Sequence, residues 1–263
     1  MNRKTIVSLL LVALLIAVEA VAELPDTIDK IRGSVVGIGT VFPSAKHRDA
    51  ASPPMTFRGT GFAVGNGRQV VTNYHVIEKV VDVEKGELLS IFSGRGSNAK
   101  VHTAKIVKVD EAHDLALLQF VGPALPVFKL AESRFLREGE EIAFTGFPIG
   151  LVLGLYPVTH KGIVSVVTPI VMPALSSKHL TAAQIKRARE RFNVYQLDAT
   201  GYPGNSGSPV YDVETGEVVA VINSVFVKES KEAMLSNPSD ISYAIPVKYV
   251  RELLGSSATE SPN

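Results

Sequence analysis

ATGYPGNSGSPVYD, residues 199–212, sets one hydroxyl, Ser206, among Gly204, Asn205 and Gly207 and then runs into Pro-Val-Tyr. Glycine loses more freedom on folding than any other residue and is the residue that tolerates left-handed or crowded backbone. Two glycines beside one serine therefore predict a turn in which the main chain comes close to something else. A serine hydroxyl is a weak nucleophile until a base takes its proton, and the intermediate it forms needs donors for an oxyanion. In such a turn the N–H groups of Gly204 and Ser206 can converge on one point and form an oxyanion hole.

A base and a residue to orient it are then required. His75 lies in VVTNYHVI, residues 70–77, where a β-type run stops and a short turn or helix begins, so that an imidazole can reach a cleft. Asp114 lies in DEAHDLALLQF, residues 110–120, just before an apolar run that must be buried. A carboxylate at that edge can accept an imidazole N–H and hold its tautomer. His47, His102, His160 and His179 show no paired spacing for a metal, and no cofactor motif occurs.

Around these motifs the chain reads as β structure. It has 263 residues, 46% of them hydrophobic, with few aromatics and valine-rich runs such as GSVVGIGTV and GEVVAVINSV. Strand-like segments recur near 34–41, 60–64, 69–72, 88–92, 101–109 and 116–120. After a turn-rich connector they return near 141–145, 155–159, 162–168, 194–198, 208–211, 217–227 and 241–245. Two such sets predict an all-β fold of two antiparallel six-stranded barrels, the first within 23–130 and the second within 131–255. LPDTIDKIRGSV offers Asp26 as the N-cap of a short helical turn. AIPVKYVRELLG, residues 244–255, reads as a C-terminal helix with Val247, Val250, Leu253 and Leu254 on one face. LTAAQIKRARERF, residues 180–192, reads as a further helix with Thr181 as N-cap and a basic, solvated outer face. The tail at 256–263 reads as disordered.

Residues 1–22 combine Arg3 and Lys4, an apolar run from Ile6 to Val18, and Ala20-Val21-Ala22, the layout of a secretory signal peptide cut after Ala22. An uncleaved membrane anchor is the alternative, although the run is shorter than the ~20 residues a span needs. Cleavage takes 27 basic and 26 acidic residues to 25 of each, by removing Arg3, Lys4 and Glu19. A neutral mature chain gives no electrostatic argument for nucleic acid or, after signal cleavage, for an anionic membrane. There is no cysteine, which excludes disulfides, thiolate metal sites and cysteine nucleophiles.

TNYHVI, HDLALL and GNSGSPV follow in the order His, Asp, Ser, and together they resemble the chymotrypsin-fold serine proteases, specifically the bacterial secreted HtrA/Deg group. The likeness extends through GTGFAVGNGRQVVTNYHVI, KIVKVDEAHDLALLQF, IAFTGFPIG, KGIVSVV and ISYAIPVKYVRELL, and so covers about residues 28 to 255. It implies Ser206 as nucleophile, His75 as general base and then acid, Asp114 as the buried orienter, and Gly204 and Ser206 as oxyanion donors. By aligning the Asp before LALL with the triad, it leaves Asp110 as a turn or capping residue and His113 as exposed. Asn205 stands where trypsin-type zymogens carry an aspartate that pairs with a newly cut N-terminus, so that ion pair cannot form.

The resemblance also implies where substrate choice is made. Thr200, Ile222, Asn223 and Ser224 would line a modest neutral S1 pocket. Thr200 stands where trypsin-like enzymes place an aspartate, and Asn223 where glutamyl endopeptidases carry a histidine, so neither basic nor acidic P1 residues are expected. Small or medium aliphatic side chains fit the HtrA pattern, with Tyr202 placed to narrow the pocket. HtrA proteases usually carry PDZ domains after the protease domain, whereas this chain stops soon after its final helix; the segment at 169–193 is an insertion. The expected function is an exported, periplasmic or secreted, serine endopeptidase acting on protein or peptide substrates without a cofactor. The rival is a gated or inactive barrel acting as a binding or chaperone-like module, and a serine esterase is a third reading.

Overall fold

The computed structural model describes residues 23–42, 55–78, 86–132, 135–148, 154–169, 192–223 and 241–255. The leader, the helix expected from Thr181, Ser224 and the tail lie outside them. Twelve strands form two closed antiparallel barrels. The first comprises β1 (Val35–Val41), β2 (Met55–Val64), β3 (Gln69–Asn73), β4 (Leu88–Ser93), β5 (Lys100–Asp110) and β6 (Leu115–Phe120), in the order β1-β2-β3-β6-β5-β4. The second comprises β7 (Glu141–Gly146), β8 (Val158–Pro169), β9 (Asn193–Asp198), β10 (Pro209–Asp212), β11 (Val218–Asn223) and β12 (Ile241–Pro246), in the order β10-β11-β12-β9-β8-β7.

The valine-rich runs are continuous because several strands are buried on both faces. In β6, Ala116 and Leu118 fill the first barrel with Val36, Ile38, Val70 and Ile91. Leu115 and Leu117 point the other way, into a core shared with Tyr211, Val221 and Ile245 of the second barrel. Ile142, Phe144, Tyr195, Val210 and Ile222 fill the second barrel. Period-two alternation thus serves two cores at once.

The segments expected at 155–159 and 162–168 are one strand, β8, bulged between Val164 and Val166. Gly162 sits inside the ladder. A Cβ there would lie 2.1 Å from the Asp198 carbonyl oxygen, so glycine is what lets β8 and β9 approach.

Three helices complete the described structure's main elements: α1 (Leu24–Ile31), α2 (Tyr74–Ile77) and α3 (Val247–Gly255). Helix α1 starts earlier than expected. Glu23 is its N-cap and Pro25 stands in its first turn, which places Asp26 inside the helix rather than at the cap. Thr27 Oγ1 donates to the Val213 carbonyl at 3.0 Å, so this N-terminal helix docks on the second barrel. Helix α3 buries Val247, Tyr249, Val250 and Leu253, and packs against β5 and β6 of the first barrel as well as β11 and β12. The first and last described helices therefore each reach across to the opposite barrel.

Candidate active site between the barrels

His75 is the second residue of α2, which follows β3 directly, and Asp114 closes the turn between β5 and β6. β3 and β6 are paired, with Asn73 opposite Leu115, so the ladder brings the two residues together. His75 Nδ1 lies 2.6 Å from Asp114 Oδ2, and the His75 backbone N–H donates to Asp114 Oδ1 at 2.9 Å. Both carboxylate oxygens are thus spent on the same histidine. A ring nitrogen bound to a carboxylate carries the proton, which leaves Nε2 as the basic atom.

Asp114 is 4% exposed and has a left-handed backbone, φ +53°, uncommon outside glycine. Several donors hold it there. Its carbonyl accepts the Tyr74 N–H and Asn73 Nδ2, each at 3.1 Å. Its Oδ2 accepts Asn223 Nδ2 at 2.7 Å, a bond from the second barrel to the carboxylate of the first.

Ser206 sits in the loop before β10 and is 7% exposed. Its carbonyl accepts the Thr60 N–H at 2.8 Å, and Thr60 Oγ1 donates to the Gly204 carbonyl at 2.7 Å. Thr60 lies in β2, so one buried threonine ties both ends of the Gly204-Asn205-Ser206 turn to the first barrel. Gly204 has φ +100° and Gly207 φ +85°. A Cβ on Gly207 would lie 2.0 Å from the Thr60 carbonyl oxygen, the close approach that the flanking glycines predict. The Gly207 N–H donates to the Ile222 carbonyl at 3.0 Å. One residue on, Asn223 binds Asp114, so the serine turn and the histidine–aspartate pair meet across β11. Among the described residues the Ser206 hydroxyl has no hydrogen-bond partner and is not bonded to His75.

Of the expected S1 residues, Thr200, Ile222 and Asn223 are described. Ile222 and Asn223 are consecutive in β11 and face opposite ways. The Ile222 side chain is fully buried among Phe144, Tyr195 and Val210, and Asn223, 1% exposed, spends its amide on Asp114. Thr200 keeps a half-buried place in the 199–204 loop, which Ser242 Oγ straps by donating to the Ala199 carbonyl at 2.8 Å. Tyr202 of that loop lies 5.7 Å from the His160 ring, and His160 stacks on Phe144 at 4.9 Å. Burial holds the His160 imidazole below its usual pKa.

His113 also departs from expectation, being packed rather than exposed. Its ring stacks on Tyr249 of α3 at 3.8 Å and meets Phe192 edge-on at 4.8 Å, while Nδ1 lies 2.7 Å from Asp110 Oδ2. Thr60, Asn73 and the anchoring role of Asn223 escape the sequence reading. Their signal is faint: a polar residue within a strand or at its end, which when buried must find a partner.

The described geometry agrees with a family assignment. The family model for the trypsin-like peptidase domain matches residues 59–221. The chain belongs to the trypsin-like peptidase family. This trypsin-like peptidase domain is 31% identical over 189 residues to a probable periplasmic serine endoprotease DegP-like of Pseudomonas putida, covering 72% of the chain and 34% of the relative. It is 30% identical over 237 residues to serine protease HTRA1B of Danio rerio, covering 88% and 40%. Against mitochondrial serine protease HTRA2 of Drosophila pseudoobscura pseudoobscura it is 27% identical over 209 residues, covering 80% and 41%. The domain thus spans well under half the length of these curated relatives. Among solved structures it shares its fold with Deg5, at TM-score 0.60 and 24% identity, covering 87% of this chain and 90% of that one. An HtrA-type protease solved with a decapeptide superposes at TM-score 0.61 and 20% identity, covering 89% and 66%.

Proposed function

We propose that the chain is an exported serine endopeptidase in which Ser206, His75 and Asp114 hydrolyse peptide bonds of unfolded or flexible proteins. The observation that carries this reading is the double engagement of His75 by Asp114, through ring and backbone, in a trypsin-like peptidase domain. In this scheme Ser206 Oγ attacks the scissile carbonyl carbon while His75 Nε2 takes its proton. Asp114 stabilises the imidazolium, and the N–H groups of Gly204 and Ser206 receive the oxyanion. His75 then protonates the departing amine, and water cleaves the acyl-enzyme by the same route. The names of the relatives support the reaction class, and the DegP-like relative's name, with the layout of residues 1–22, supports export to a periplasmic or extracellular space. Thr200, with Tyr202 beside it, is the described residue from which a neutral S1 wall would be built. Ser224 is the other candidate.

Digestion of casein followed by mass spectrometry of the products tests this reading. Cleavage by the wild type and none by Ser206→Ala or His75→Ala is the expected result, with small or medium aliphatic residues before the cuts. Equal cleavage by either variant would overturn the assignment.

That the Ser206 hydroxyl has no hydrogen-bond partner among the described residues favours a second reading, in which the nucleophile and base join only when substrate or a partner arrives. Casein left intact until a peptide activator is added, then cut by the wild type alone, distinguishes that gated barrel from the constitutive protease.

A further inference from the structure

The turn that presents Asp114 contains a second carboxylate–imidazole pair that the proposed chemistry does not use. Asp110 Oδ1 accepts the His113 backbone N–H at 3.1 Å, and Asp110 Oδ2 binds His113 Nδ1 at 2.7 Å. This repeats, four residues upstream of Asp114, the two-point grip that Asp114 has on His75. Burial by itself would raise the Asp110 pKa, but the ring and backbone hydrogen bonds from His113 and the backbone N–H of Ala112 outweigh it and hold the carboxyl below its usual value. Asp110 is therefore the acceptor and His113 Nδ1 the donor. The far side of the pair is aromatic: His113 stacks at 3.8 Å and 20° on Tyr249, which is 6% exposed and lies under Lys248 Nζ at 4.5 Å. Phe192 closes the edge.

Left-handed backbone at a non-glycine residue persists only where its surroundings over-determine it. The peptide joining His113 to Asp114 is fixed on one side by the Asp110 and Tyr249 contacts and on the other by the bonds to the Asp114 carbonyl. We propose that His113 is a positioning residue: clamped between Asp110 and Tyr249, it sets the backbone of Asp114, and so couples helix α3 to the orientation of His75. The inference rests on the reading of His75 and Asp114 as catalytic.

The test uses the full chain as wild type, His113→Ala and His113→Asn, since an asparagine Nδ2 can occupy the place of the imidazole Nδ1. Three readouts are compared: labelling of Ser206 by a fluorophosphonate, peptide turnover, and the downfield proton NMR signals of carboxylate-bound imidazole N–H groups. The wild type is expected to show two such signals, from His75 and His113. His113→Ala should lose the second, displace the first, and lower kcat and the labelling rate roughly tenfold at unchanged KM, the effect of loosening one bond to a charged group. His113→Asn should restore the His75 signal and most of the rate. Wild-type labelling with an unmoved His75 signal in His113→Ala would overturn the proposal, as would His113→Asn behaving no better than His113→Ala. Should His113→Ala not fold, Tyr249→Leu, which removes the stack alone, must displace the His75 signal for the proposal to stand. If the wild type neither labels nor cleaves, the proposed function fails while the NMR comparison still decides the positioning role.

Discussion

Asn223 in the second barrel donates its side-chain amide to Asp114 Oδ2 at 2.7 Å, across a sequence separation of 109 residues. Both partners are buried, and the acceptor oxygen is the one that faces His75 Nδ1. A hydrogen bond to a buried charge is worth about 1.5–3 kcal/mol. Asn223→Ala should therefore lower kcat about 10- to 100-fold if that bond is fully expressed in the reacting state. KM should hold, because Asn223 is 1% exposed and its amide faces Asp114. Steady-state kinetics on one peptide checks both halves, and a rise in KM with kcat intact would restore Asn223 to the pocket wall.

Thr60 makes the corresponding tie for the serine turn. Its hydroxyl donates to the Gly204 carbonyl at 2.7 Å and accepts the Phe147 N–H at 3.0 Å. Thr60→Val keeps shape and the backbone bond to Ser206 while leaving two buried groups unpaired, at about 1–3 kcal/mol for each. Denaturant melts should show a lower midpoint, and fluorophosphonate labelling should slow even where the variant is folded.

Gly207 combines φ +85° with a contact that leaves no room for a Cβ. Gly207→Ala should destabilise the protein by more than about 1 kcal/mol. A melting temperature equal to wild type would show that the turn has another conformation open to it.

His160 sets a pH dependence. Its folded pKa lies below the unfolded value of about 6.5 because burial disfavours the imidazolium. Below about pH 6.5 the unfolded chain takes up the proton more readily, so stability falls as pH drops through that value towards the folded pKa. His160→Gln should flatten the melting temperature between about pH 5 and 7 relative to wild type.

Much of this was legible beforehand. Runs buried on both faces stay apolar whether or not register is known, so the strands of both barrels stand out, and GNSG announces its turn because only glycine fits beside Thr60. What stayed hidden depends on partners far along the chain. His113 sits in a charged turn and reads as exposed until Phe192 and Tyr249 arrive from the second half. Asn223 reads as a pocket residue until the barrels dock and Asp114 meets its amide. His160 and Lys161 read as a gap between two strands until β7 is laid against them. In each case the residue type fixed a need, for a partner or for space, and tertiary packing decided who met it.

The most direct test of the central claim is to treat the protein with a fluorophosphonate, measure its intact mass and map the modified peptide. The account predicts a single adduct per chain, on Ser206, and none in His75→Ala. An adduct on another residue, or equal labelling in His75→Ala, would contradict it.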